Sequence, residues 1–291
     1  MPLAQTASSV HAAVVVDRRE PAPGIVVLGL RVPSLEESVR PGQFAMVAMP
    51  SGEQAAVALA IYEAGAQHLS LMIVVVGTRT AALANLAIGE RIEMLAPLGN
   101  GFEAETLGDD VALVAGGVGI ASLLLLAAAV VRRGARACLY YGARAAGALV
   151  ESDRFARLGI EVSNATDDGS RGYRGFVTEL FAAEGRRHSG IAGCGPTPML
   201  RRLAEVASQR RIPAQLSLEE PFGCGVGACW GCVIPHAADE NGAPQNLIGA
   251  TRNLPSLAVG HRRTTQRKDE RFTYVRVCRE GPVFWSEELR W

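Results

Sequence analysis

Between about residues 10 and 105 the apolar positions fall in short runs. HAAVVV, GIVVLGLRV, QFAMVAM, VALAIYE, LSLMIVVVG and ERIEMLAP are of strand length, and PAPG, RPG, PSGE, EAGAQ and GNG separate them. β-Branched residues bounded by glycine and proline predict strands, and their spacing predicts a small antiparallel barrel or sandwich. From about 110 to 215 the rhythm changes. VALVAGG, an apolar helix running to Arg133, ARACLYYGA, IEVSNATDD, VTELFAAEG, SGIAGCG and the helix PTPMLRRLAEVASQRR follow one another. Alternation of strand and helix predicts an α/β, doubly wound parallel sheet that binds ligands beyond the carboxyl ends of its strands. From about 216 to 291 neither period holds, and cysteine and glycine set the pattern. So small a module with little core points to an inorganic centre that holds it together.

One stretch competes with this division. Val111 to Val131 is 21 residues without a charge, the length of a membrane span. Gly116, Gly117 and Gly119 interrupt it after five residues, which predicts a buried strand, a glycine turn and a separate helix, with no membrane partner. Composition agrees with a globular chain: 291 residues, 48% hydrophobic and 20% charged, room for two domains and a small third module. Lys+Arg 29 balance Asp+Glu 29, so no global field draws the chain to nucleic acid or an anionic membrane. Lys268 is the only lysine, which excludes a GK[ST] phosphate loop and a lysine Schiff base elsewhere. The first twenty residues lack a basic stretch followed by a long apolar run. A cytoplasmic location without structural disulfides is the expectation.

The candidate chemistry lies in the cysteines and glycines. Cys224, Cys229 and Cys232 form C-x4-C-x2-C in PFGCGVGACWGC, with Cys278 downstream in YVRVCREGPVF. This is the ligand spacing of a plant-type 2Fe-2S cluster. Gly223, Gly225, Gly227 and Gly231 let the loop curl and aim its amides at sulfur. A four-thiolate zinc site is the competing reading, although it usually carries a second close cysteine pair, which is missing here. Cys138, inside an apolar strand, reads as a buried filler. The histidines at 11, 68, 188, 236 and 261 are scattered and read as surface residues, and Glu219 and Glu220 as solvated or salt-bridged.

AGGVGIA, with Gly116, Gly117, Val118 and Gly119, lies between a predicted strand and a predicted helix. Such a turn presents amides to a phosphate at a helix N-terminus, though the full G-x-G-x-x-G spacing is lacking. AGCGPTPML places Cys194, Gly195 and Pro196 after a second apolar strand. The two together predict a nucleotide crossing the sheet edge.

AGGVGIASLLLL, IAGCGPTPML, SLEEPFGCGVGACWGC and VCREGPVFWSEEL, with RPGQFAMV and LAPLGNGF, resemble the electron-transfer subunits of NAD-linked dihydroorotate dehydrogenases, within the ferredoxin-NADP reductase superfamily. The resemblance implies an FAD-type β-barrel domain over 1–107, an NAD-binding α/β domain over 108–215 and a 2Fe-2S cluster domain over 216–291. It implies a catalytic flavoprotein partner, dihydroorotate dehydrogenase-like, in a heterotetramer, with electrons relayed through 2Fe-2S and FAD to NAD. Carried onto this chain, it assigns Gly77, Arg79, Thr80, Pro97 and Leu98 to FAD. Gly116, Gly117, Val118, Gly119, Gly195 and Pro196 go to NAD(H), Cys194 lies beside the nicotinamide as the catalytic residue, and Cys224, Cys229, Cys232 and Cys278 are the metal ligands.

Two departures stand out. Val57-Ala58-Leu59-Ala60 occupies the place of the family's Arg-Pro-x-Ser, which grips flavin, and Gly77-Thr78-Arg79-Thr80 that of its Gly-x-Gly-Thr. Arg79 can replace the lost charge, since a guanidinium forks two phosphate oxygens, or it can block the site. Without FAD the chain becomes a flavin-free ferredoxin-like relay or a structural subunit of another complex. The basic stretch from His261 to Arg271 reads as a solvated loop.

Overall fold

The computed structural model describes residues 8–33, 35, 39–50, 52, 56–238 and 272–291. The basic stretch from His261 to Arg271 lies outside them.

All six early segments become strands: β1 (Ser9–Ala22), β2 (Ile25–Arg31), β3 (Phe44–Ala48), β4 (Ala56–Gly65), β5 (His68–Val74) and β6 (Arg91–Leu98), with a short helix α1 (Thr78–Ala84) before the last. They close into an antiparallel barrel in the order β1-β2-β5-β4-β3-β6. Closure rests on the length of β1, whose first half pairs with β6 and second half with β2. Alternate residues point inward, so Val26, Leu28 and Leu30 meet Leu69, Leu71 and Ile73 in a common interior with Leu59 and Ile61. The barrel, rather than the sandwich, is the form taken.

The second unit contains β7 (Asp110–Gly116), α2 (Leu124–Arg132), β8 (Arg136–Ala143), α3 (Ser152–Arg157), β9 (Glu161–Thr166), β10 (Tyr173–Arg174), α4 (Val177–Ala183), β11 (Gly190–Cys194), α5 (Thr197–Arg210) and β12 (Ala214–Ser217). These strands pair in parallel in the order β10-β9-β8-β7-β11-β12. The central strand explains the uninterrupted VALVA. Val111, Leu113 and Ala115 pack against α2 on one face, while Ala112 and Val114 pack toward α4 and α5 on the other, so both sides must be apolar. The uncharged run Val111 to Val131 is thus strand, turn and helix, and among the described residues no helix is long and apolar enough to cross a membrane.

The last part holds a two-stranded ribbon of β13 (Val233–Ala237) and β14 (Phe272–Arg276), then α6 (Val277–Glu280) and β15 (Val283–Trp285). β15 leaves that ribbon and pairs antiparallel with β12, Gln215 opposite Trp285 and Ser217 opposite Val283. The seventh strand of the sheet therefore comes from the cysteine-bearing segment. Asn100, just after β6, fastens the same segment to the barrel, its amide donating to the Gly281 carbonyl at 2.6 Å and its side chain to the Glu280 carbonyl at 3.0 Å.

Three histidines expected at the surface are buried: His11, His188 and His236. Each has a hydrogen-bond partner for at least one ring nitrogen, His236 through Nδ1 to the Ala237 carbonyl at 2.9 Å, while its Nε2 is buried with no partner among the described residues. His188 lies between Asp110 Oδ1 at 2.6 Å and the Tyr140 hydroxyl at 3.0 Å, and burial lowers its pKa. This trio sits where β7 and β11 begin, at the end of the sheet away from the glycine turns.

A charged network ties the barrel to the sheet unit. Tyr62 on β4, fully buried, donates to Glu151 Oε2 at 2.8 Å. Glu151 also pairs with Arg19 of β1, and Glu63 pairs with Arg154 of α3. Burial, then Glu151, raises the Tyr62 pKa, so the hydroxyl keeps its proton. Tyr62→Phe removes one donor to a charged acceptor and is expected to lower stability by about 1–2 kcal/mol, read as the shift in a chemical denaturation midpoint at pH 7.

Candidate functional site

β7 and β11 lie side by side with Ala115 opposite Cys194, at the point where the strand order reverses. The chain leaves β7 outward through β8 and β9 and returns to the other side of it as β11. Both strands end in glycine turns, and the turns touch. A Cβ on Gly119 would press into the Cys194 carbonyl, and one on Gly195 would lie 3.0 Å from Gly116 Cα. One on Gly116 would come within 2.7 Å of Met199 Sδ and 2.9 Å of Pro196 Cδ. Close packing therefore requires glycine at 116, 119 and 195. Gly117 differs: its φ is +53°, and a Cβ there would meet nothing within 4 Å.

The helix expected after this turn starts as a tight 3-10 segment, Gly117–Leu123, before α2. α5 starts beside it, with Pro196 as its cap. Two helical N-termini with unpaired amides thus meet at the carboxyl edge of the sheet, an arrangement suited to an anionic group. Val118 is half-buried between them and packs in the same core as Ala60 of β4.

Cys194, 2% exposed, points its thiol at Glu219 Oε1, 3.9 Å away, and also bonds the side chains of Ser122 and Ser217. Burial, reinforced by Glu219, pushes the thiol up to about 12, so it is neutral near pH 7 and no nucleophile. Burial raises the Glu219 carboxyl as well, although part of that residue is open to solvent. Glu219 is thus exposed to solvent, as expected of it, and also neighbours the Cys194 thiol. Ser122 and Ser217 carried no signal in the sequence, because a single serine in an apolar run looks like any other small residue.

The four loop cysteines are brought together as two pairs. Amides of Ala228 and Cys229 donate to Cys224 Sγ at 3.3 and 3.4 Å, and Cys229 Sγ accepts from Gly231 at 3.4 Å and also contacts the Cys224 thiol. The Cys278 amide donates to Cys232 Sγ at 3.4 Å, and the two free thiols share a hydrogen bond. Among the described residues, no three His, Cys, Asp or Glu side chains converge as the ligand set of one metal ion. Cys232 and Cys278 are buried, whereas Cys229 is exposed. Burial works against ionisation of Cys224, but the amides of Cys229, Val226 and Ala228 lower it to about 6. Burial and then Cys232 raise Cys278. The loop docks on the barrel at Gly225, whose φ is +70° and where any side chain would collide with Met46.

The barrel residues spread over two places. Gly77 and Arg79 are exposed at the start of α1, and no ion pair to Arg79 is found among the described residues. The Thr80 hydroxyl is used within the turn, accepting from the amides of Val76 and Gly77 and donating to the Gly77 carbonyl at 3.0 Å. Pro97 and Leu98 lie at the seam with the cysteine loop, lining a cavity of about 320 Å³ with Arg40, Gly225, Cys278 and Arg279. On β4, Ala58 pairs with Met46 and Ala60 with Phe44, so small residues face out where the departed segment lies. Cys138 is buried as expected, its thiol 3.7 Å from Glu161.

No protein-family model matches the chain. The dihydroorotate dehydrogenase B (NAD(+)) electron transfer subunit of Caldanaerobacter subterraneus subsp. tengcongensis is 33% identical over 249 residues, 86% of each chain. That of Bacillus caldolyticus is 36% identical over 215 residues, 73% of this chain and 70% of the relative. The chain belongs to the dihydroorotate dehydrogenase B electron transfer subunits. Among solved structures, the NADH-dependent reduced ferredoxin-NADP oxidoreductase shares the fold of this dihydroorotate dehydrogenase B subunit family member, with a TM-score of 0.76 and 24% identity over 96% of this chain and 90% of the other.

Within this electron transfer subunit Cys138 and Cys194 are buried outside the cysteine loop. Burial holds Cys138 up at about 11, as it holds Cys194 up at about 12. Both are thiols throughout the physiological range and out of solvent. Iodoacetamide at pH 8 is expected to leave Cys138 and Cys194 unmodified in the native protein and to modify both after denaturation, as read by peptide mass spectrometry.

Proposed function

We propose that the chain passes electrons between a catalytic dihydroorotate dehydrogenase subunit and NAD, using FAD on the outer face of β4 and a 2Fe-2S cluster on Cys224, Cys229, Cys232 and Cys278. The observation that carries this reading is the position of β4. Ala58 packs into the core that contains Cys232 and Cys278, and Ala60, on the same face, packs into the core that contains Val118 of the glycine turn. A flat carrier on that face adjoins both the thiol loop and the nucleotide edge. NAD exchanges two electrons as a hydride and a 2Fe-2S centre exchanges one, and bound flavin supplies the conversion between them.

The donor sets suit these groups. Two thiol pairs, one exposed and one buried, with amides already aimed at their sulfurs, match a two-iron centre better than a single tetrahedral ion, whose four ligands converge on one point. For FAD, the open space at Gly77 leaves the backbone approachable, and Thr80 stiffens the turn that carries Arg79, a cation with no ion pair among the described residues and so available to a pyrophosphate. Alanines at 58 and 60 leave room for a ring but offer it no polar contact, so binding depends more on Arg79. Gly117 and the amides after it receive the NAD phosphates, with Gly116, Gly119, Gly195 and Pro196 holding the turns in contact. The Cys194 thiol, kept neutral, stands at the carboxyl edge where the nicotinamide enters.

The heteromeric partner is a catalytic flavoprotein subunit. By this reading the cluster domain spans 216–291, the NAD-binding domain 108–215 and the FAD domain 1–107, and the assembly is a cytoplasmic heterotetramer. The deciding experiment is an ultraviolet-visible spectrum of anaerobically purified protein with extracted flavin identified and iron and sulfide assayed. Zinc in place of iron, or a wild type that takes up no FAD at high micromolar concentration, overturns the reading.

Three expected outcomes follow from the residue roles. Cys229→Ser loses most of its iron and sulfide and its last module becomes protease-sensitive, because coordination is coupled to folding. Gly117→Leu keeps its circular dichroism spectrum but binds NADH on the order of tenfold or more weakly in fluorescence titration, since its side chain occupies the open edge where phosphate approaches. Arg79→Ala binds FAD about tenfold more weakly by equilibrium titration, the scale of one charge-assisted contact at a solvent-exposed site. Tighter binding by that variant would make Arg79 an obstruction.

A further inference from the structure

Arg276 ends β14, two residues before Cys278, and its guanidinium is more fully engaged than any other near the cysteine loop. Nη1 donates to the Gly227 carbonyl at 3.1 Å. Cζ stands 4.8 Å from the centre of the Trp230 ring. The backbone amide and Nε of Arg276 both donate to Glu280 Oε2, at 2.7 and 3.1 Å, and Nη2 pairs with Oε1. The two loop residues it holds flank Cys229, and both have left-handed backbones, Gly227 at φ +81° and Trp230 at +57°. Trp230 is the costlier, because a side chain disfavours that region. Something must over-determine its conformation, and the stacked guanidinium is in place to do so.

Arg276 also brings a charge. Its side chain is 16% exposed and that of Glu280 12%, so neither charge is fully screened by water. The thiols of Cys278 and Cys232 are within electrostatic reach of Arg276. Arg279 reaches the same carboxylate, 4.0 Å from Glu280 Oε1, but is 42% exposed and contributes less.

We propose that Arg276 is a positioning residue for the iron–sulfur centre: its fork holds the Gly227–Trp230 stretch closed over the thiol ligands, and its charge, opposed by Glu280, sets the reduction potential. This rests on the 2Fe-2S reading above. Reduction of such a centre adds one electron and one unit of negative charge, supplied in turnover by the partner subunit, with no bond made or broken. A cation beside the centre favours the reduced form, and an anion favours the oxidised form.

The test uses the full chain purified anaerobically, with cluster content by iron and sulfide analysis and the midpoint by a redox titration followed by electron paramagnetic resonance. Arg276→Gln is expected to shift the equilibrium about tenfold against reduction, which for one electron is a fall of about 59 mV. Glu280→Gln is expected to shift it in the opposite direction. Arg276→Lys, with the charge kept and the fork lost, is expected to hold the midpoint closer to wild type while losing iron to a chelator faster. A merely structural role would not move the two midpoints in opposite senses. Wild-type protein without a cluster overturns the 2Fe-2S reading itself. A cluster-bearing Arg276→Gln protein with an unchanged midpoint, or Arg276→Gln and Glu280→Gln shifting the same way, overturns the role of Arg276. If Arg276→Gln assembles no cluster, the direction of the Glu280→Gln shift decides alone.

Discussion

The ends of β7 and β11 approach so closely that no side chain fits between their turns, and most of what lies at the carboxyl edge depends on that contact. Because Gly119 is pressed against the Cys194 carbonyl and Gly195 against Gly116, the two following helices begin side by side and their free amides share one patch of space. The same contact buries the Cys194 thiol beneath the turns, where Ser122, Ser217 and Glu219 are its polar partners. Burial keeps that thiol neutral near pH 7. At the other end of the sheet Asp110, His188 and Tyr140 form a chain of hydrogen bonds.

Much of the fold was legible because burial imposes a period. All six barrel strands appeared as short apolar runs between turns, and VALVA appeared as a strand buried on both faces. Among the elements that escaped, β12 with four residues, β15 with three and β10 with two have too little apolar content to show a period, and the ribbon β13–β14 and the short helices α3 and α6 also went unread. Helix α1 was hidden for another reason. Its first turn is set by the Thr80 hydroxyl bonding back to Val76 and Gly77, which leaves no apolar stripe to detect.

The chemistry was legible where one residue type dominates by necessity. Glycine turns are such a case, since no side chain fits the contacts at Gly119 and Gly195, and the cysteine spacing anticipated that Cys224 meets Cys229 and Cys232 meets Cys278. Residues that act through partners were not legible. Ser122, Ser217, Arg276 and Glu280 are ordinary letters until the fold brings them to a thiol or a loop. Histidine misled in the opposite direction: His11, His188 and His236 looked like scattered surface residues yet are buried, and nothing local in the sequence announces a partner 78 residues away such as Asp110 for His188. The network from Tyr62 to Glu151 and Arg19 is likewise a product of packing two units together.

β15 has a consequence for how the molecule is made. β12 ends at Ser217, and its outer edge is an open row of amides and carbonyls until Val283 to Trp285 pair with it. During synthesis that edge emerges long before the strand that covers it, so a nascent nucleotide unit presents an adhesive border to other chains for the whole interval. The segment that covers it also carries Cys278. Completion of the sheet therefore brings in the segment that delivers Cys278 to Cys232.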